Sequence, residues 1–178
     1  VPTINFTIEH MCCDYFGMEP RFLVPGMKTG LNIKYENPRE LGSDRIANAV
    51  AVATLYSGPS IFIDFGTATT YGVVSDKNEF MGGAIGAGLR MMNAALATGT
   101  AKLPSIELVV PPKVIGKTTI CNIQSGVLYG YIGSVEKILQ IFIHSLRHSL
   151  LSTAIFTFRD GNALGYFKVS TAHFTFKK

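Results

Sequence analysis

Charge is scarce in this sequence: Asp, Glu, Lys and Arg make up 16% of its 178 residues against 47% hydrophobic, which excludes disorder and points to a chain packed against something. The apolar surplus can face a partner subunit or a further lobe. Runs of like charge are absent too. The 16 basic residues outnumber the 12 acidic ones for a net +4, but they are scattered, so nothing here would track a nucleic-acid backbone. Mild basicity suits anionic small substrates instead. Cysteine is rare: Cys12, Cys13 and Cys121 form no C-x-x-C pair, and adjacent cysteines seldom bridge each other, so the chain reads as reduced, intracellular and cytoplasmic. No secretory leader is visible. The uncharged stretch from Thr118 to Val135 approaches the length of a membrane span, yet Asn122, Gln124 and its serines, threonines and glycines exclude one.

The length suffices for one domain, or for one and a fraction of a two-lobed protein. Residues 3–16 pattern as a helix stopped by Gly17 and Pro20, with a short strand expected from Arg21 to Val24. A second helix is expected near Asp44, with Ile46, Ala49, Val50 and Ala53 on one face, ending at Gly58 and Pro59. Strands at 61–65, 71–75 and 80–84, with Asp76 to Glu79 as a hairpin loop, predict an antiparallel meander. A helix from Gly86 to Thr98 follows. Beyond a loop, Ile120, Ile123, Val127, Tyr131, Val135, Ile138, Phe142 and Leu146 trace one stripe on a long helical segment. Gly126, Gly130 and Gly133 lie on that segment, though glycine costs about 1 kcal/mol in a helix interior relative to alanine. They mark either a groove where another helix or a partner subunit comes close, or a break between two shorter helices.

The most telling stretch is Ile61 to Thr70, where an apolar strand runs into an acid, a glycine and a group of threonines. Ile61, Ile63 and Phe65 alternate with Phe62 and Asp64 across the strand, and Gly66 permits a tight backbone that aims N–H groups at an anion. Thr67, Thr69 and Thr70 can add hydroxyl donors. Asp64 repels a phosphate, so its job beside one is to hold a metal ion or water. Asp-x-Gly-Thr also occurs wherever a strand meets a hairpin, and the turn by itself does not settle the chemistry.

Further motifs follow in order: GMKTG at Gly26–Gly30, KYENP at Lys34–Pro38, GSDR at Gly42–Arg45, FMGGAIGAGL at Phe80–Leu89, AKLP at Ala101–Pro104, VIGKTT at Val114–Thr119 and QSGVLYGY at Gln124–Tyr131. With these motifs the chain resembles the type III pantothenate kinases of the actin-like superfamily of acetate and sugar kinases, over roughly residues 1 to 148. The resemblance implies an α/β, actin-like (ribonuclease-H-like) fold, a mixed sheet with helices on both faces and an incomplete first lobe. It divides the chain into a remainder of that lobe at 1–58, with the pantothenate-site segment, and a second lobe at 59–178.

The implied activity is ATP-dependent phosphorylation of pantothenate to 4'-phosphopantothenate, the first step of coenzyme A biosynthesis, with Mg2+ and a monovalent cation, K+ or NH4+. A homodimer is implied, with no nucleic-acid or membrane partner. Asp44 is then the general base on the primary alcohol of pantothenate. Taken alone it is equally an acid at a helix N-terminus, favoured by the dipole. Arg45 can hold the substrate carboxylate, or make a surface ion pair. Tyr35 contacts pantothenate by resemblance, unless it is an ordinary half-buried tyrosine, and Gly42 and Ser43 complete that wall. Asp64 is similar to the family residue that binds the monovalent cation, or is a strand-end cap, and Thr67 to one that contacts ATP phosphate. Thr119 is similar to a threonine that reaches pantothenate from across a dimer interface, and is also placed to be a helix N-cap.

Two departures stand inside the match: Gly86 and Ala87 replace an alanine and a proline, which is expected to loosen that loop, and Thr118 replaces an asparagine. Larger ones stand at the ends. The family's first Asp-x-Gly-Asn-Thr turn, which cradles ATP phosphates, is not found here, so an N-terminally incomplete chain is expected. Ala154 to Phe158 can form a strand, but Arg159 to Phe167 does not match the glycine pair near the adenosine, and Asp160-Gly161 with Phe174 and Phe176 is generic β pattern. His144 and His148 lack a third zinc ligand and read as a polar helix face. Two other functions stay open: a catalytically silent relative serving as a binding or transcription accessory factor, and an actin-like kinase with another acceptor.

Overall fold

The computed structural model describes residues 2–24, 26–56, 58–146, 153–158 and 164–167. Ten regular elements lie within them: α1 (Pro2–Phe16), β1 (Asn32–Ile33), α2 (Ser43–Leu55), β2 (Ser60–Phe65), β3 (Ala68–Val74), β4 (Glu79–Ala87), α3 (Leu89–Gly99), α4 (Thr119–Ser145), β5 (Thr153–Phe158) and β6 (Leu164–Phe167). The strands form one mixed sheet in the order β1-β4-β3-β2-β5-β6. β2, β3 and β4 make the expected antiparallel meander, while β1 joins β4 and β5 joins β2 in parallel. The strand expected at Ala154–Phe158 is therefore present. None forms at Arg21–Val24; the edge beside β4 is taken by Asn32–Ile33.

Strand β2 shows why helices occupy both faces. Its period of two sends Phe62 into a cluster with Leu41, Ile46, Ala49, Val52, Val74 and Phe80, which seats α2. Ile61 and Ile63 point the other way, into a cluster with Tyr71, Val73, Val135 and Leu139, which seats α4. Gly72 lies opposite Phe62, and a Cβ there would meet the Phe62 ring at 2.1 Å, so a missing side chain on β3 makes room for a large one on β2.

The long helix is continuous. α4 runs unbroken through Gly126, Gly130 and Gly133, which removes the reading of two shorter helices, and a Cβ added at any of the three would meet nothing within 4 Å. Its buried stripe is Ile123, Val127, Val135 and Leu139 with Gln124, whereas Ile120 is exposed. Among the described residues no helix is long and apolar enough to cross a membrane.

β4 is longer than its sequence suggests, reaching Ala87, so α3 starts three residues later than the expected Gly86. Gly86 and Ala87 are thus not in a loosened loop: they pair with Thr69 and Ala68 on β3. His148, Asp160-Gly161, Phe174 and Phe176 lie outside the described residues.

Candidate functional site

Helix α2 brings the first acid to the sheet. Gly42 is its N-cap in extended conformation, without a side-chain cap bond, and Asp44 stands in the first turn, where free N–H groups favour a carboxylate. A Cβ on Gly42 would lie 2.4 Å from Asp44 Oδ1. The glycine therefore leaves room for the acid to fold back over the helix start. Ser43 and Asp44 are both exposed.

One residue on, the polypeptide turns inward. Arg45 is only 6% exposed, and its guanidinium sits 5.7 Å from the Tyr35 ring centroid and 5.5 Å from that of Phe80. Tyr35 is placed there by β1, since Lys34 N–H donates to the Phe80 carbonyl at 2.9 Å, and the Tyr35 and Phe80 rings stack at 6.3 Å. Arg45 Nε is buried with no hydrogen-bond partner, and no ion pair to Arg45 occurs among the described residues. The surface ion pair considered for Arg45 is thus not what it makes. A buried cation without an ion-pair partner is costly, and a carboxylate arriving at this point would find a guanidinium resting over two neighbouring aromatic rings.

Asp64 reaches the same side of the sheet. It shares the parity of Phe62, so it faces α2, and Asn48 Nδ2 donates to Asp64 Oδ2 at 3.3 Å. Asn48 is four residues beyond Asp44, hence on the same helix face. Asp44, Asn48 and Asp64 therefore run in sequence along one flank of α2. Asn48 was not among the sequence candidates; its only signal was this i, i+4 spacing.

Across the ladder from Asp64 lies Thr70, whose side chain shares that face. Its Oγ1 is buried without a hydrogen-bond partner, and the residue is 8% exposed. An orphaned hydroxyl oxygen beside a carboxylate is an oxygen-only donor set, the chemistry of a hard cation. Among the described residues no group of three or more His, Cys, Asp and Glu could hold a metal, so any cation here would lean on few carboxylates.

Gly66 and Thr67 form the turn between β2 and β3, with Gly66 N–H donating to the Ala68 carbonyl at 3.1 Å. Thr67 is exposed at its tip. Thr69, expected to add a hydroxyl toward an anion, instead faces α4, where its hydroxyl bonds that of Tyr131. Burial pushes the Tyr131 phenol up in pKa, the Thr69 bond opposing in part.

Thr119 is not joined to the others by any hydrogen bond among the described residues. It is the first residue of α4 and exposed, while the cap is made by Thr118, whose hydroxyl accepts from Cys121 N–H at 3.2 Å. The structure thus gathers Tyr35, Gly42, Ser43, Asp44, Arg45 and Asp64 around α2 and the sheet face it covers, sets Thr67 on the β2–β3 turn, and holds Thr119 on a separate element.

Residues 1–141 match the family model described as type III pantothenate kinase. A curated "Type III pantothenate kinase" from Geobacillus sp. (strain WCH70) is 52% identical over 139 residues, covering 78% of this chain and 54% of the relative. The chain thus spans about half the length of that relative. A solved Campylobacter jejuni structure, described under the Baf family of transcriptional activators, is 22% identical over 61% of this chain and 49% of its own, at a TM-score of 0.37. That likeness is too slight to carry an argument about fold.

Proposed function

The chain belongs to the type III pantothenate kinase family, and on that premise we propose that it serves ATP-dependent phosphorylation of pantothenate to 4'-phosphopantothenate, the first step of coenzyme A biosynthesis. The observation that carries this is Arg45: a buried side chain whose Nε has no hydrogen-bond partner, one residue from an exposed acid at a helix start. Pantothenate carries a carboxylate at one end and a primary alcohol at the other, and these are the two groups that Arg45 and Asp44 would meet.

In this reading Tyr35, Gly42, Ser43 and Arg45 hold pantothenate and Asp44 takes the proton of its primary alcohol. The alcohol oxygen then bonds to the γ-phosphorus as the bond to ADP breaks. Mg2+ arrives with ATP as part of that substrate. Thr67 at the turn tip meets its phosphates. Asp64 and the orphaned Thr70 oxygen fit a monovalent cation, K+ or NH4+, which would spread negative charge beside the turn. Asn48 keeps one Asp64 oxygen oriented. Thr119 would act from the partner subunit of a cytoplasmic homodimer, consistent with its exposed place on α4 beside open glycine positions.

The finer fold assignment belongs to the same proposal. An antiparallel meander whose first strand takes a parallel neighbour after helical crossings supports an actin-like, ribonuclease-H-like lobe. The division into a first-lobe remainder at 1–58 and a second lobe at 59–178 belongs to the same proposal, with β1 paired to β4 and α2 packed on the same sheet.

A coupled ATPase assay with and without pantothenate and potassium tests the proposal. ADP release should require both. Strong turnover with a sugar or acetate and none with pantothenate would assign the chain another acceptor.

A further inference from the structure

The β2–β3 turn is short. Besides its own Gly66–Ala68 bond, the Thr67 carbonyl accepts from Gly88 N–H at 3.0 Å, where a Cβ on Gly88 would lie 2.3 Å from both the Gly66 and Thr67 carbonyl oxygens. That close approach anchors the tip from the side of α3. A cavity of about 1320 Å³, lined by Gly66, Thr67, Arg90, Asn93 and Tyr131 among others, opens beside the turn. On this flank the turn borders space rather than closed core.

A further anchor comes from α4. The Tyr131 ring lies 6.1 Å from that of Phe65, the last residue of β2, and its hydroxyl bonds that of Thr69, the second residue of β3. One side chain thus grips both strands at the two sides of the turn. Thr69 is 1% exposed, so an unmade bond there would leave a buried hydroxyl stranded. Burial also pushes the phenol's pKa up, the Thr69 bond opposing in part.

We propose that Tyr131 is a positioning residue for nucleotide binding: from α4 it holds Phe65 and Thr69, and so sets the shape that the Gly66–Thr67 turn presents to ATP phosphates. This rests on reading that turn as a nucleotide contact, and on no assumption about the acceptor. It also gives α4 two tasks. Thr119 starts this helix and Tyr131 lies 12 residues later (131 − 119), about 18 Å away at about 1.5 Å per residue, so one rigid element would link an acceptor contact to the phosphate turn.

The test is calorimetric titration of the full chain with MgATP and, separately, with pantothenate. Tyr131→Phe keeps the ring and removes only the hydroxyl, and should weaken MgATP binding about 3- to 10-fold while leaving pantothenate binding unchanged. Thr69→Val should show the same selective loss. Combining the two should cost less than the product of the single losses, because both remove one bond. Thr69→Ser, which keeps a hydroxyl, should retain most of the affinity. If Tyr131→Phe fails to fold, the Thr69→Val and Thr69→Ser pair carries the same comparison. Wild-type MgATP affinity in the hydroxyl-deleted variants, or equal losses for MgATP and pantothenate, would overturn the proposal, as would a wild-type chain that does not bind MgATP. ATP binding without pantothenate phosphorylation would sink the acceptor assignment and leave Tyr131 standing.

Discussion

Strand β2 serves two layers at once, and its two faces have opposite characters. Toward α4 it presents Ile61, Ile63 and Phe65, met by Val135, Leu139 and Tyr131 in an apolar layer where the buried Thr69 hydroxyl bonds that of Tyr131. Toward α2 it presents Phe62 and then Asp64, met by Asn48, with the unpartnered Thr70 oxygen beside it and the unpartnered Arg45 Nε farther along. Both faces are built from the same alternation. The difference is that on the α4 face the hydroxyls of Thr69 and Tyr131 satisfy each other, whereas the α2 face keeps costly polar groups open, as a site that awaits an anion and a cation would.

That contrast predicts different failures on the two faces. The largest effect is expected at Asp44: Asp44→Asn should lower pantothenate-dependent turnover by about two to four orders of magnitude, the range for loss of a general base, with little change in thermal midpoint. Turnover at the wild-type rate would remove the mechanism. On the opposite face Leu139→Ala should cost about 2–5 kcal/mol of stability by denaturant titration, through a cavity at a residue 1% exposed. If pantothenate KM rose with it by more than the unfolded fraction accounts for, the two faces would not be separable.

Arg45→Met should raise pantothenate KM about 10- to 100-fold, the worth of charge-assisted hydrogen bonds to a carboxylate. The same change should leave the melting temperature level or higher, because it removes an unpaired buried cation. A fall in both would make Arg45 a structural residue. The smallest effect concerns Tyr71, 2% exposed on the α4 face, whose pKa burial pushes up to about 12 from the ordinary 10. Its folded state binds the proton more tightly than the unfolded state. Its contribution is therefore complete below pH 10 and lost as pH rises from 10 towards 12. Tyr71→Phe should flatten stability-against-pH curves over that interval, and an unchanged slope would contradict the burial argument.

Much of this architecture is legible in the sequence where one period dominates. The alternation of Ile61 to Phe65 names both faces of β2, and the α4 stripe fails in its first residue and in omitting Gln124 and Leu139. Gly86 and Ala87 read as loop because glycine carries no strand preference, yet pairing with β3 draws them into β4. Arg21 to Val24 has strand-like residues but bonds no strand among the described residues. The N-cap of α4 falls on Thr118 rather than Thr119 because adjacent threonines are chemically equivalent until one backbone turns extended. Within the site, the residues at element starts were readable from motif and spacing. Asn48 was not, and Thr70 and Tyr131 were read only as a hydroxyl donor and a stripe residue, since the neighbours of all three arise from which strand face meets which helix.

The measurement closest to the central claim is a calorimetric comparison of pantothenate with its neutral alcohol analogue, in which the carboxylate is replaced by a hydroxyl. If Arg45 holds the carboxylate, wild-type protein should prefer pantothenate by at least about 10-fold, and Arg45→Met should erase the preference. Equal binding of the two compounds by wild-type protein would contradict the assignment of the α2 face as the pantothenate site.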